Sequence, residues 1–152
     1  MIKHGHIILL IGCLCFSYGA KAAQPLTKNQ ETIAMTILGE ARGESYVGMY
    51  AVACVIQQRA KDRNKTPAQI CLQRKQFSCW NSNDKNKPKL RGLLKTKEAY
   101  WAKQMAIHIT KLNSNYTKQA DHYCTLKAKP YWAKGKTPVI IIGNHKFFRL
   151  GK

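Results

Sequence analysis

The sequence predicts an α+β domain, mostly helical, with a small two- or three-stranded antiparallel sheet in its C-terminal third. Three observations carry this. Apolar residues recur at helical spacing in long stretches between Lys28 and Leu112. Beyond residue 120 the chain turns to short β-branched or aromatic runs separated by Pro and Gly. No internal repeat, heptad pattern or low-complexity segment interrupts the 152 residues, so one core is expected.

The elements follow in order. Met1 to His6 is a short basic segment, Ile7 to Phe16 is apolar, and Ala20-Lys21-Ala22 has the form of a cleavage site. Residues 1–22 therefore read as an export signal, leaving 23–152 as the working domain. The apolar run falls well short of the roughly 20 residues that span a bilayer, so no stable membrane insertion is expected. Leu10-Ile11-Gly12-Cys13 also has the order of a lipoprotein signal, which would anchor the chain through Cys13. Thr27-Lys28-Asn29-Gln30 has capping-box form and opens a helix to Ala41 that Gly43 is expected to end. Tyr46 to Ala60 is apolar nearly all round and reads as the central buried helix, with Gln57, Gln58 and Arg59 facing a cleft or water. Thr66-Pro67-Ala68-Gln69 starts a short helix to Gln73, and Thr96 caps another to about Leu112. Residues 81–89 are polar and read as a surface loop. Asp121 to Cys124, Val139 to Ile142 and Lys146 to Leu150 are the strands.

Charge and cysteines bound the function. Removing Lys3 and Lys21 with the signal leaves 24 basic against 7 acidic side chains, a net charge of +17. Such a field implies an anionic partner. Export and the lack of any nucleic-acid-binding motif point away from nucleic acid and towards anionic polymers of the cell envelope. Four cysteines remain after the signal, and an even number in a small exported domain reads as two disulfides. Three pairings are open, and Cys71–Cys79 with Cys54–Cys124 is preferred because the first would pin a polar, aromatic loop.

Gly39-Glu40-Ala41-Arg42-Gly43-Glu44 carries two of the seven acids. Glu40 lies in the last turn of its helix, beside the apolar stripe. There partial burial and the negative end of the helix dipole suit a general acid. Glu44 either assists Glu40 or pairs with Arg42 or Arg59 to hold the turn. Gln76, Phe77, Ser78 and Trp80 can line a sugar cleft. Tyr123, Trp132 and Phe147 serve equally as substrate contacts or core, and His145 is either a substrate contact or a donor to a backbone carbonyl.

Taken with Ala51 to Arg59, Gln76 to Trp80, Pro130 to Ala133 and Ile142 to Arg149, that segment resembles the SleB-type cell wall hydrolases, over Thr32 to Arg149. Ser45, where the family often has Pro, and the loosely matching Asp121 to Cys124 depart from its pattern. The resemblance implies a helical core akin to lysozyme and lytic transglycosylases, with the glycan strand of peptidoglycan as substrate and Glu40 as its essential acid. Scission of the MurNAc–GlcNAc bond needs a proton on the leaving oxygen. One Glu supplies it in a lytic transglycosylase, whereas a muramidase normally wants a second carboxylate about 5–9.5 Å away, for which Glu44 and Asp121 stand. Two other readings remain: a zinc amidase using His122 and His145 with Glu40 or Asp121, and a non-catalytic basic wall-binding module. The glycosidase reading needs no metal or cofactor, and a monomer is expected.

Overall fold

The computed structural model describes residues 24–151, so the expected export signal, with Cys13 and Cys15, lies outside the described residues. Helix α1 (Lys28–Ala41) opens on the expected capping box: the Thr27 hydroxyl accepts from the Gln30 N–H at 3.2 Å, and the Gln30 side chain accepts from the Thr27 N–H at 2.9 Å. Its end differs from expectation. Arg42, still helical in its dihedrals, is the C-cap, and Gly43 is not in the left-handed conformation. The Glu44 N–H instead closes a tight turn on the Ala41 carbonyl at 2.9 Å, and helix α2 (Tyr46–Asp62) starts at once.

Helix α2 is buried almost continuously from Gly48 to Ala60, as an apolar helix without a polar face must be. Its polar end is buried too. Gln57 donates to the Thr110 carbonyl at 3.0 Å, Gln58 to Asp62 at 2.9 Å, and Arg59 to the carbonyls of Asp121 and Gln76 at 2.6 and 3.3 Å. None faces open water; Gln57 and Arg59 tie α2 to three distant segments, and Arg59 also lines a hollow with Asp62, Arg63 and Asp121. Helix α3 (Pro67–Leu72) has its own capping box, made by Thr66 and Gln69. A short helix α4 (Leu90–Leu93), which no apolar period announces, buries Leu90. Helix α5 (Ala99–Ile107) is shorter than its pattern suggests. Thr96 donates its hydroxyl to the Leu93 carbonyl instead of capping, and the chain tightens to a 3₁₀ turn after His108.

The C-terminal third forms a three-stranded antiparallel sheet, β1 (His122–Thr125), β2 (Ile140–Ile142) and β3 (His145–Phe148), in the order β1-β3-β2. Tyr123 pairs with Phe147, and Ile142 with His145. Strand alternation sends Tyr123, His145 and Phe147 towards α2 and turns His122, Lys146 and Phe148 to the outer face.

Asp121, 2% exposed, locks the C-terminus. Its carboxylate accepts from the N–H groups of Leu150 and Gly151 at 2.9 and 2.8 Å, from Arg149 at 3.2 Å, and contacts His122 Nδ1 at 2.8 Å. Burial pushes its pKa up, but the hydrogen bonds from His122, Leu150 and Gly151 prevail and hold it below the usual carboxylate range. A carboxyl depressed in the folded state stabilises it fully above its unfolded pKa of about 3.9, and that stability is lost as pH falls through the lower folded value. Asp121→Asn should therefore cost about 1.5–3 kcal/mol at neutral pH in denaturant unfolding. The deficit should shrink below about pH 4; a variant as stable as the parent at pH 7 would contradict the lock.

Neither expected disulfide is formed: Cys54, Cys71, Cys79 and Cys124 are free thiols. Cys54 spends its thiol on the Asn113 carbonyl at 3.5 Å, while Cys124 lies on the outer face of the sheet with its thiol 3.9 Å from the Ala128 carbonyl. The sheet thus separates that pair, and a disulfide needs its Cα atoms within about 7 Å. Cys71 and Cys79 share the main core cluster without being bonded.

Candidate active site

Glu40 sits half-buried in the last turn of α1, and three donors converge on its carboxylate. Oε1 accepts from the Ser78 hydroxyl at 3.1 Å and the Cys79 N–H at 3.0 Å; Oε2 accepts from the Tyr123 hydroxyl at 3.0 Å. The setting differs from the expected apolar one, since hydrogen bonds rather than greasy walls fix the carboxylate. Ser78 and Cys79 belong to a 3₁₀ turn, Ser78–Trp80, that lies directly on α1. Gly39 makes this approach possible, because a Cβ there would stand 2.7 Å from Cys79 Cβ and 2.9 Å from its sulfur. One helical turn before Glu40, the buried Thr36 hydroxyl accepts from the Trp80 indole N–H at 2.8 Å and pins the other end of the same turn.

Tyr123 is positioned from below. Its ring meets His145 edge-on at 5.3 Å and lies against Phe147 at 5.7 Å. Desolvation first, then the neighbouring Glu40 carboxylate, push its pKa well up, so the hydroxyl keeps its proton. His145 is buried with Nδ1 3.9 Å from Glu44. Glu44 meets no arginine carboxylate-to-guanidinium contact of the expected kind. It accepts from the Asn144 N–H and side-chain amide at 3.3 Å, closing the α1–α2 turn onto the β2–β3 turn. Gly143, at φ +55°, is needed there: a Cβ would stand 2.8 Å from the Glu44 carboxylate.

The structure thus brings Glu40, Ser78 and Tyr123 together, with Trp80, His145 and Glu44 one contact further out. It does not bring in the other expected residues. Phe77 is 2% exposed, under the Arg59 guanidinium at 5.1 Å, and is core. Gln76 gives its side-chain oxygen to Arg63 at 2.7 Å. Trp132 packs on His122 and Phe148 on the outer face of the sheet, away from Tyr123. His122 and His145 point from opposite faces, so they cannot share a metal ion, and among the described residues no cluster of three metal-binding side chains occurs. The donor that sequence reasoning missed is the Cys79 backbone N–H. Burial pushes the Cys54 and Cys71 thiols up to about 12, and burial with the Glu40 charge drives Cys79 higher still, so none offers a nucleophilic thiolate at neutral pH.

A hollow of about 680 Å³ flanks the Ser78–Trp80 turn, lined by polar and basic groups, among them Arg74, Lys75, Asn81 and Lys87, with Trp80 at its wall. Lys75 is held there at φ +61°, an uncommon conformation for a residue with a side chain.

Comparison with known proteins agrees with this architecture. A family profile described as cell wall hydrolase matches residues 43–148. The catalytic domain of the Bacillus cereus SleB protein superposes with a TM-score of 0.59 at 23% identity, covering 83% of this chain and 94% of that one. The catalytic domain of the germination-specific lytic transglycosylase SleB from Bacillus anthracis gives a TM-score of 0.63 at 22% identity, covering 83% and 98%. These likenesses establish the shared fold. No curated protein matches the chain significantly.

Proposed function

The chain belongs to the cell wall hydrolase family, and from that premise we propose that it cuts the glycan strand of peptidoglycan between N-acetylmuramic acid and N-acetylglucosamine, as a lytic transglycosylase with Glu40 its one acid/base. The similarity of the fold to a lytic transglycosylase from Bacillus anthracis supports the reaction class.

The observation that carries the reading is where the other six carboxylates stand: five are tied to cations or backbone and one lies in open solvent. Glu31 pairs with Arg91, Asp62 with Arg149, and Asp121 with Arg149 and the C-terminal backbone. Glu44 is bound to the β2–β3 turn, Asp84 caps the N–H of Asn86, and Glu98 is fully exposed at the start of α5. Glu40 alone is half-buried and held by neutral donors only, two hydroxyls and one backbone N–H, with no cation on it among the described residues. A mechanism with one carboxylate suits this chain.

The donors support one place for the proton. The Cys79 N–H can never accept, so Oε1 faces an obligate donor; the Tyr123 hydroxyl leaves one lone pair of Oε2 for the proton. That proton passes to the glycosidic oxygen as the C1–O bond breaks, with the bonding pair leaving on oxygen. The resulting carboxylate takes the proton of the muramic C6 hydroxyl, whose oxygen closes on C1. Glu40 ends protonated, and no water is consumed. Ser78, Cys79 and Tyr123 hold the carboxylate in place through both transfers, which is what positioning contributes to such a step.

Mass spectrometry of digested peptidoglycan tests the reaction. Anhydro-muramic ends are expected; reducing ends that have gained water would make the enzyme a muramidase, and free stem peptides an amidase. Export is part of the same proposal, supported by the order of basic, apolar and A-x-A segments in residues 1–22. N-terminal sequencing of secreted protein should begin at Ala23 or Gln24, whereas a lipid-blocked Cys13 would mean a lipoprotein.

A further inference from the structure

Positive charge is not spread evenly along the chain. From His122 to Lys152 there are seven Lys and Arg residues and no acid at all. Four of the lysines gather in space. The loop between β1 and β2 folds over the outer face of the sheet and encloses a hollow of about 510 Å³, with Lys129, Lys134, Lys136 and Lys146 in its walls and Phe148 and prolines in its floor. That volume falls in the range of about 300–1,000 Å³ usual for ligand sites. The walls are fixed. Lys146 donates to the Ala128 carbonyl at 3.0 Å, and Trp132 wedges between His122 and Phe148. With Trp132 turned inward, its neighbour Tyr131 is turned out and stands 90% exposed, without a ring partner among the described residues. No lysine of this group lies in an ion pair with a described carboxylate.

Lysines left without counter-charge around a concave apolar floor, beside a free aromatic face, match one chemistry. An aromatic ring packs on the apolar face of a pyranose, and ammonium groups meet the carboxylates of the peptides that the sugar chain carries. We propose that this hollow is a second, non-catalytic binding site for a glycan strand of the cell wall whose stem peptides carry free carboxylates, on the face of the sheet opposite Tyr123 and Glu40. A concave wall suits a polymer chain better than a membrane surface, which meets flat or convex faces. Holding one strand there while Glu40 acts on another keeps a small, single-domain enzyme on its insoluble substrate between cuts. The inference rests on the wall being the substrate but not on the chemistry of Glu40.

Co-sedimentation with purified sacculi, stripped of attached polymers, tests it, using the full chain carrying Glu40→Gln so that the sacculi stay intact. The triple change Lys129→Gln, Lys134→Gln, Lys136→Gln should weaken binding about five- to tenfold and flatten its salt dependence. Tyr131→Ala should weaken it with the salt dependence unchanged. A matched triple at exposed positions elsewhere, Lys61→Gln, Lys111→Gln, Lys118→Gln, removes the same charge and should weaken binding by less than twofold. Equal losses from the two triples would show that the net field alone attracts the wall, and would overturn the site. So would intact binding to sacculi accompanied by loss of binding to phosphatidylglycerol vesicles, which would make the face a membrane contact. Sacculus turbidity read alongside shows whether the Glu40→Gln chain still cuts, so a failed catalytic assignment and a failed second site give different results.

Discussion

Glu40→Gln should lower the release of soluble fragments from dye-labelled peptidoglycan by about 10²–10⁴-fold, the usual contribution of a positioned acid–base group. The substitution is nearly isosteric, so the geometry predicts where each contact goes. The amide oxygen in the place of Oε1 still accepts from Ser78 and from the Cys79 N–H, whose distances of 3.1 and 3.0 Å need not change. The amide nitrogen then faces Tyr123, whose hydroxyl can turn from donor to acceptor. Thermal unfolding should therefore hardly shift, and the loss will belong to chemistry. Glu44→Gln is the contrast: its carboxylate is committed to Asn144, and an amide retains part of that contact, so most activity should survive. A Glu40→Gln enzyme that clears peptidoglycan near the parental rate would defeat the mechanism. Loss in the Glu44 variant equal to that in the Glu40 variant would argue instead for two carboxylates.

The two ends of this site were unequally legible in the sequence. Glu40 could be found because its signals are local: a capping box fixes where α1 begins, the apolar period fixes its face, and position along it follows. Tyr123 and Ser78 were named but without partners, since periodicity says which face a residue occupies and not what crosses to meet it. The Cys79 N–H could not be singled out, because every residue but proline has such a group and side-chain type says nothing about it. Phe77 and Trp132 show the converse. An aromatic beside polar residues reads the same whether it lines a cleft or fills a core, and a contact across the sheet, Trp132 on Phe148, decided the matter. The burial of Gln57, Gln58 and Arg59 escaped the sequence for a related reason, although Arg59 does line a hollow. Their polarity suggested solvent, whereas each had a backbone or carboxylate partner up to some sixty residues away. The Cys54–Cys124 pairing failed because counting cysteines ignores direction, and here the strand alternation of β1 turns Cys124 outward.

One signal in the sequence did point to the missing donor, and it leads to the second large effect. Glycine in a helix costs about 0.5–1 kcal/mol against alanine, so Gly39 beside Glu40 asks for a reason. Gly39→Ala should gain that propensity and still lose overall, because the new methyl would stand 2.7 Å from Cys79 Cβ and 2.9 Å from its sulfur, with Leu90 at 3.0 Å. Cys79 Cβ is one bond from the backbone, so the clash cannot be relieved by swinging a side-chain tip. The Ser78–Trp80 turn must move off α1, and overpacking of this kind costs about 1–3 kcal/mol. The same movement draws the Ser78 hydroxyl and the Cys79 N–H away from Glu40, and a misplacement of about 1 Å can cost about 10²-fold in rate. Both losses are expected together: a lower unfolding midpoint and a turnover reduced by about two orders of magnitude with Glu40 untouched. Pairing Gly39→Ala with Cys79→Gly removes the atoms in conflict while keeping the backbone N–H, so the double variant should regain much of the lost rate. Full activity and raised stability in Gly39→Ala would mean that helix propensity decides at this position and that the turn does not hold Glu40 in place.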